Sequence, residues 1–128
     1  MEIISMVMEK AKEMKMSVCI CIRDRHDNLA GHVRMRDAAL GSVDLACQKA
    51  RSSALFSAPS AALRQFPGVE LSNGIISNLR GGLPLITDSG VSAGSIGVSG
   101  AETGEEDEEL AKVVMDRIDY ILQRYLEY

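Results

Sequence analysis

The sequence predicts an α+β fold in which an antiparallel sheet of five strands packs with helices, and three observations predict it. The spacing of apolar residues switches repeatedly between the 3.6 period of a helix and the 2 period of a strand. The strands fall in closely linked pairs, which suits hairpins and not the long crossovers of a parallel sheet. Helical segments stand before, between and after those pairs, so the sheet has helices to cover it.

The elements follow in order. Ile3, Ile4, Val7, Met8, Ala11 and Met14 recur at three- and four-residue steps with Glu9, Lys10, Lys12 and Glu13 between them, an amphipathic helix. From Ser17 the period is two: Val18, Ile20 and Ile22 point one way, Cys19 and Cys21 the other. Arg25-His26-Asp27-Asn28 breaks that strand. Leu29, Gly31, Val33 and Met35 then alternate with Ala30, His32, Arg34 and Arg36, which completes a hairpin. Ser42 to Phe56 is helical, with a narrow face of small side chains, Val43, Ala46, Ala50 and Ala54, that allows close packing on a sheet. Pro59 ends it and a short helix covers Ser60 to Gln65, after which 67–80 reads as loop with a short strand near Ile75 and Ile76.

Gly81 to Gly100 reads as a rigid strand-turn-strand scaffold ending at a helix N-terminus. Leu83 to Thr87 is one strand, Asp88-Ser89-Gly90 the turn and Val91 to Ser99 the other. Val91 and Ala93 share one parity and Ile96 and Val98 the other, so a bulge near Gly94-Ser95 is needed to put them on one face. Thr103 with Glu106 forms a capping box, and Leu110, Val113, Val114, Ile118, Ile121, Leu122 and Tyr125 mark a long terminal helix.

Composition bounds the function. A chain of 128 residues suits one domain, 1–128, with 46% hydrophobic and 25% charged residues. Fourteen basic against eighteen acidic residues leave a net charge of −4, and there is no Trp. The field and the stacking surfaces that nucleic acids require are absent. No apolar run is long enough for a membrane span and no secretory leader is legible, so a cytoplasmic, membrane-free protein is expected. Cys19, Cys21 and Cys47 are odd in number with no disulfide-scaffold spacing, consistent with a reducing compartment.

Several motifs invite chemistry. Gly94 to Gly100 before a helix suggests a phosphate loop, yet it matches neither the dinucleotide fingerprint nor a Walker loop, and Glu102, Glu105, Glu106, Asp107, Glu108 and Glu109 follow it. A solvated acidic first turn is the expectation there. Ala93 to Gly97 brushes against a nucleophile elbow at Ser95, but an apolar strand runs on where the elbow needs a sharp turn. Cys19 and Cys21 share a strand face and suit a soft metal, though no second ligand pair completes a site, and all three cysteines read as small buried hydrophobes. His26 lies in the hairpin turn. His32 lies on the strand beside Arg34 and Arg36, where an imidazole can ligate iron and guanidinium groups can hold carboxylates. Met35 goes with the core by parity. No nucleophile with a base is legible; an enzyme of a small metabolite would have to use Arg34 or Lys49 to hold a carboxylate near Gly81-Gly82.

Four blocks together carry a resemblance. Arg34-Met35-Arg36-Asp37-Ala38, then Ser42 through Lys49-Ala50-Arg51 to Phe56, then Gly81-Gly82-Leu83-Pro84-Leu85, then Gly94-Ser95-Ile96-Gly97-Val98-Ser99-Gly100 followed by Asp107, resemble the GlcG/HbpS-like heme-binding family. The same domain forms the C-terminal part of PduO-type cobalamin adenosyltransferases. The resemblance covers nearly the whole chain and implies a profilin-like fold, a homo-oligomer (tetramer or octamer) and, for some members, heme as cofactor. The expected function is a small oligomeric binding protein for heme or a related tetrapyrrole, with His32 as candidate iron ligand and His26, Arg34 and Arg36 around the group. The alternatives are an accessory oligomer supporting a B12-dependent or glycolate-utilising enzyme, and the small-metabolite enzyme above. The chain departs from the family in its first hairpin: Asp24-Arg25-His26-Asp27-Asn28-Leu29 stands for the usual Asp-x-x-Gly-His-Leu, so Asn28 takes the His position and His26 lies two residues earlier.

Overall fold

A computed structural model describes residues 2–69 and 72–118. In chain order it contains α1 (Glu2–Glu13), β1 (Cys19–Asp24), β2 (Leu29–Arg34), α2 (Ser42–Phe56), a 3₁₀ turn at Ser60–Gln65, β3 (Gly82–Ile86), β4 (Ser92–Ser99), α3 (Gly104–Lys112) and a second 3₁₀ turn at Met115–Arg117. The strands form one sheet in the order β2-β1-β4-β3, antiparallel throughout. Among the described residues the sheet has four strands, not the expected five.

The missing strand is the one expected near Ile75 and Ile76. The backbone there is engaged otherwise: the carbonyls of Ser77, Asn78 and Leu79 accept from the side chains of Ser52, Arg64 and Ser60. A ladder needs those groups for a neighbouring strand, and here side chains of α2 and the 3₁₀ turn have taken them.

The two faces of the sheet differ sharply. On one, Ile20 and Ile22 of β1, Ile96 and Val98 of β4, and Leu83 and Leu85 of β3 meet Ile3, Val7 and Ala11 of α1 and Leu110 and Ala111 of α3, all buried in one large apolar cluster. On the other, Cys19 and Cys21 pack with Ala38, Ala46 and Ala50 under α2. The large aliphatic side chains build the first layer and small ones the second, so α2 lies much nearer the sheet than an ordinary helix.

Both hairpins contain an extra residue. In β4 it is Ala93, because Leu85 pairs with Gly94 and Ile86 with Ser92. Gly94, at φ 143°, takes the backbone through a region that L side chains rarely adopt, and Ala93 joins Ile96 and Val98 in the same core. The expected bulge therefore exists one residue earlier than the parity argument placed it. In β2 the extra residue is Ala30, since Ile22 pairs with Gly31 and Arg23 with Leu29. This bulge moves Leu29 onto the side that carries His32, correcting the simple alternation read from the sequence.

Thr103 caps α3 with the full capping box: its hydroxyl accepts the Glu106 N–H, and the Glu106 carboxylate accepts the Thr103 N–H. The helix stops at Lys112 and passes into the 3₁₀ turn, shorter than the long helix expected. Ile121, Leu122 and Tyr125 lie outside the described residues. No helix among the described residues is long and apolar enough to cross a membrane.

Candidate functional site

The α2 side of the sheet carries most of the polar groups that the fold buries. Gly82 and Gly97 are cross-strand partners on β3 and β4. A Cβ on Gly97 would lie 2.1 Å from the Ala46 carbonyl oxygen, and one on Gly82 would lie 2.2 Å from that of Lys49. Only glycine admits the helix backbone at this distance, which is the physical content of the Gly-rich blocks in the sequence. Ser95, two residues before Gly97 on β4, is buried and donates its hydroxyl to the Ala50 carbonyl at 2.6 Å. It is a structural tie from strand to helix, with no elbow geometry.

Lys49 lies on the same helix face and is 2% exposed. Its Nζ donates to the Asp107 carboxylate at 2.9 Å and to the Val98 carbonyl at 3.0 Å. The other Asp107 oxygen accepts the Ala101 N–H. Burial raises the Asp107 carboxyl above its ordinary range, while Lys49 and the Ala101 N–H pull it back. Glu108 beside it is also buried and pairs with Arg80 at 2.8 Å. The expected solvated acidic turn is thus solvated only in part: Glu105 and Glu109 face water, while Asp107 and Glu108 turn inward to cations on α2 and the loop before β3. A cleft of about 400 Å³ opens beside this pair. Lys49 is not a free carboxylate receptor there, because Asp107 already holds it.

Arginines and thiols occupy another side of α2, where Cys47 and Arg51 lie one turn apart on either side of Lys49 in the chain. Asp27, at φ 62° in the hairpin turn, is held by Arg23 at 3.0 Å and by Arg51 of α2 at 3.0 Å. Arg23 also donates to the Asp27 carbonyl at 2.7 Å. Between these groups and residues 73–75 lies a cleft of about 370 Å³, lined by Arg23, Arg51, Gln48 and Cys47 among others. Cys47 is half-buried and packs against the cluster that holds Cys21 beneath α2. Burial, with Cys47 alongside, pushes the Cys21 thiol up to about 12, against the opposing pull of Arg23.

The residues singled out for a cofactor sit on the edge strand and in its turn. Cys21 pairs with His32 and Cys19 with Arg34, so His32 and Arg34 project to the α2 side of the sheet. His32 is half-buried, and its Nε2 is buried with no hydrogen-bond partner. Arg34 is exposed and donates through one nitrogen to the carbonyls of Arg36 and Ala38. Arg36 lies beyond the end of β2 and is exposed, so it does not continue the strand face. His26 stands exposed in the hairpin turn, its N–H donating to Asp24, and is not part of that face either. Met35 is in the core, where its sulfur accepts the Val18 N–H.

The family model described as "Haem degrading protein HbpS-like" matches residues 1–116. The chain belongs to the HbpS-like family. Among solved structures, the Klebsiella pneumoniae protein ORFY is 29% identical with a TM-score of 0.84, covering 91% of this chain and 85% of that one. A double mutant of HbpS from Streptomyces reticuli is 30% identical with a TM-score of 0.77, covering 86% of this chain and 77% of that one. A PduOC structure in complex with heme has a TM-score of 0.82 over 89% of this chain and 87% of that one; at 24% identity the likeness is one of fold. No curated protein matches the chain.

For this member of the HbpS-like family, sequence reasoning missed three contacts: Lys49 with Asp107, Asp27 with its two arginines, and Cys21 with Cys47. A signal existed for the first. Lys49 falls at helical spacing among Ser42, Ala46 and Ser53, a single charge on an otherwise small and buried face. Its partner lies 58 residues away and no spacing rule finds it. No group of three or more His, Cys, Asp or Glu side chains among the described residues is placed to hold a metal ion.

Proposed function

We propose that this protein binds heme or a related tetrapyrrole, with His32 as the iron-ligating residue and Arg34 on the same strand face as the group for a propionate. The observation that carries the reading is the Nε2 of His32, a buried imidazole nitrogen with no partner. An unmet buried polar atom costs about 1–3 kcal/mol, and an imidazole nitrogen is a donor that heme iron accepts. Arg34 supports it, since two bonds through one nitrogen leave the rest of its guanidinium for carboxylates. Family membership and the heme complex of PduOC lend further support. Bound heme would supply an iron centre whose redox and ligand chemistry the ligating side chain would tune. The chain's own part is to present the imidazole from a strand fixed on one side by β1.

Titration of the purified protein with hemin tests the reading. A shifted Soret band saturating near one heme per chain is expected, and no shift at stoichiometric heme overturns it. His32→Ala is expected to change the band; an unchanged spectrum would remove His32 as the ligand.

The same reading includes a homo-oligomer. Leu55 and Phe56 at the end of α2 and Phe66 after the 3₁₀ turn are each more than half exposed, and a second copy would cover them. Light scattering is expected to give a multiple of the 13.8 kDa chain mass, and a monomer at micromolar concentration would oppose it.

A further inference from the structure

We propose that Cys47 and Cys21 are an oxidisable thiol pair, in which a hydroperoxide entering the cleft beside α2 oxidises Cys47 and Cys21 closes a disulfide that ties helix to sheet. Three observations carry this. Cys47 of α2 packs against the small buried cluster that holds Cys21 of β1, so a helix thiol and a strand thiol share one face of the sheet. The cleft of about 370 Å³ reaches Cys47, which is half-buried, while Cys21 is wholly excluded from solvent beneath it. The backbones approach closely at this point: Gly97 is the cross-strand partner of Cys21, and its Cβ position lies 2.6 Å from the Ala50 nitrogen of α2. A disulfide needs Cα atoms within about 4.4–6.8 Å of each other, and a helix held off by ordinary side chains would not provide that.

The chemistry balances. The Cys47 sulfur gives up its proton and attacks one peroxide oxygen; the O–O bond breaks, water (or an alcohol, from an organic peroxide) leaves and Cys47 is a sulfenic acid. The Cys21 sulfur then attacks the Cys47 sulfur, the S–O bond breaks, and the departing hydroxide takes the Cys21 proton to leave as a second water. Two thiols lose two electrons and one peroxide gains them. The order of events follows from access and from acidity, since burial keeps Cys21 protonated until an oxidised sulfur is beside it. Arg23, which lines the cleft, has a charge that favours the Cys21 thiolate as the second step begins. Cys19 is buried on the same face and lines no part of this cleft. A soft-metal role for the three thiols is disfavoured, because they do not converge with a further ligand into a metal-binding group.

The test treats the full chain, folded and reduced, with a small excess of hydrogen peroxide and then counts free thiols. A fall from three to one is expected, with a Cys21–Cys47 peptide link by mass spectrometry after alkylation. Cys21→Ala should stop at a sulfenic acid on Cys47 that dimedone captures. Cys47→Ser should keep both remaining thiols, and Cys19→Ser should still form the link. Circular dichroism of each variant shows that it is folded, and the wild-type peptide map stands even where one is not. A link involving Cys19, a disulfide only between chains, or three thiols surviving in the folded protein overturns the proposal.

Discussion

Lys49 and Asp107 meet at 2.9 Å with only 3% and 6% of their side chains exposed. They join α2 to the first turn of α3 around the end of β4, whose Val98 carbonyl takes another Lys49 proton. Two charges this deep are costly to desolvate, and removing one leaves the other unpaired at a cost of about 3–5 kcal/mol. The pair therefore holds the arrangement of two helices on opposite faces of the sheet, and several consequences can be measured.

Lys49→Met should destabilise the protein by about 3 kcal/mol near neutral pH, read as a lowered urea midpoint. The pH dependence has a definite sign. Burial raises the folded carboxyl of Asp107 above its ordinary 3.8, so its favourable contribution is complete below that value and is lost as pH rises through the folded value. Without Lys49 the raised range extends further upward. The gap between variant and wild type should narrow as pH falls from about 7 towards 4, and the double variant Lys49→Met/Asp107→Leu should recover much of the loss at pH 7. A gap that widens in acid would contradict this account.

Gly97→Ala should cost about 3 kcal/mol or prevent folding, because the added carbon would sit 2.1 Å from the Ala46 carbonyl and α2 would have to lift. Gly41→Ala supplies the contrast. It has open space around its Cβ position and an ordinary helical backbone at φ −65°, so thermal melting should change by no more than about 0.5 kcal/mol equivalent.

Asp24 governs the first hairpin through its carboxylate, which accepts the N–H groups of His26 and Asn28 at 2.8 and 2.9 Å. Slight burial works against the charge, but those two donors outweigh it and hold the carboxyl below its ordinary 3.8. Asp24→Ala is expected to lose about 1 kcal/mol at neutral pH, the lower end for bonds to a charged group at an exposed turn. This contribution is present above 3.8 and disappears as pH falls through the folded value. Chemical denaturation near pH 7 and near pH 3 should show the difference shrinking in acid.

Thr103→Ala removes the acceptor for the Glu106 N–H and should cost about 1 kcal/mol, with Thr103→Ser nearly neutral. Equal losses from the two substitutions, measured by thermal unfolding, would show that the methyl group and not the hydroxyl matters.

Much of this protein was determined by the sequence alone. The switch from 3.6 to 2 places α1, β1, β2 and α2, Thr103 with Glu106 starts α3, and the parity conflict between Ala93 and Ile96 demands a bulge, all because local periodicity and capping are properties of short stretches. The resemblance carried by the Gly-rich blocks pointed to the family. Tertiary structure decided what depends on partners far apart in the chain. Whether Ile75 and Ile76 formed a strand turned on which donors reached the carbonyls after them. Whether Asp107 faced water turned on a lysine 58 residues earlier. Whether Cys47 packed against the cluster that holds Cys21 turned on how closely two glycines let α2 lie against the sheet. Side-chain pairing across that distance is set by packing, and packing is not written in any local period.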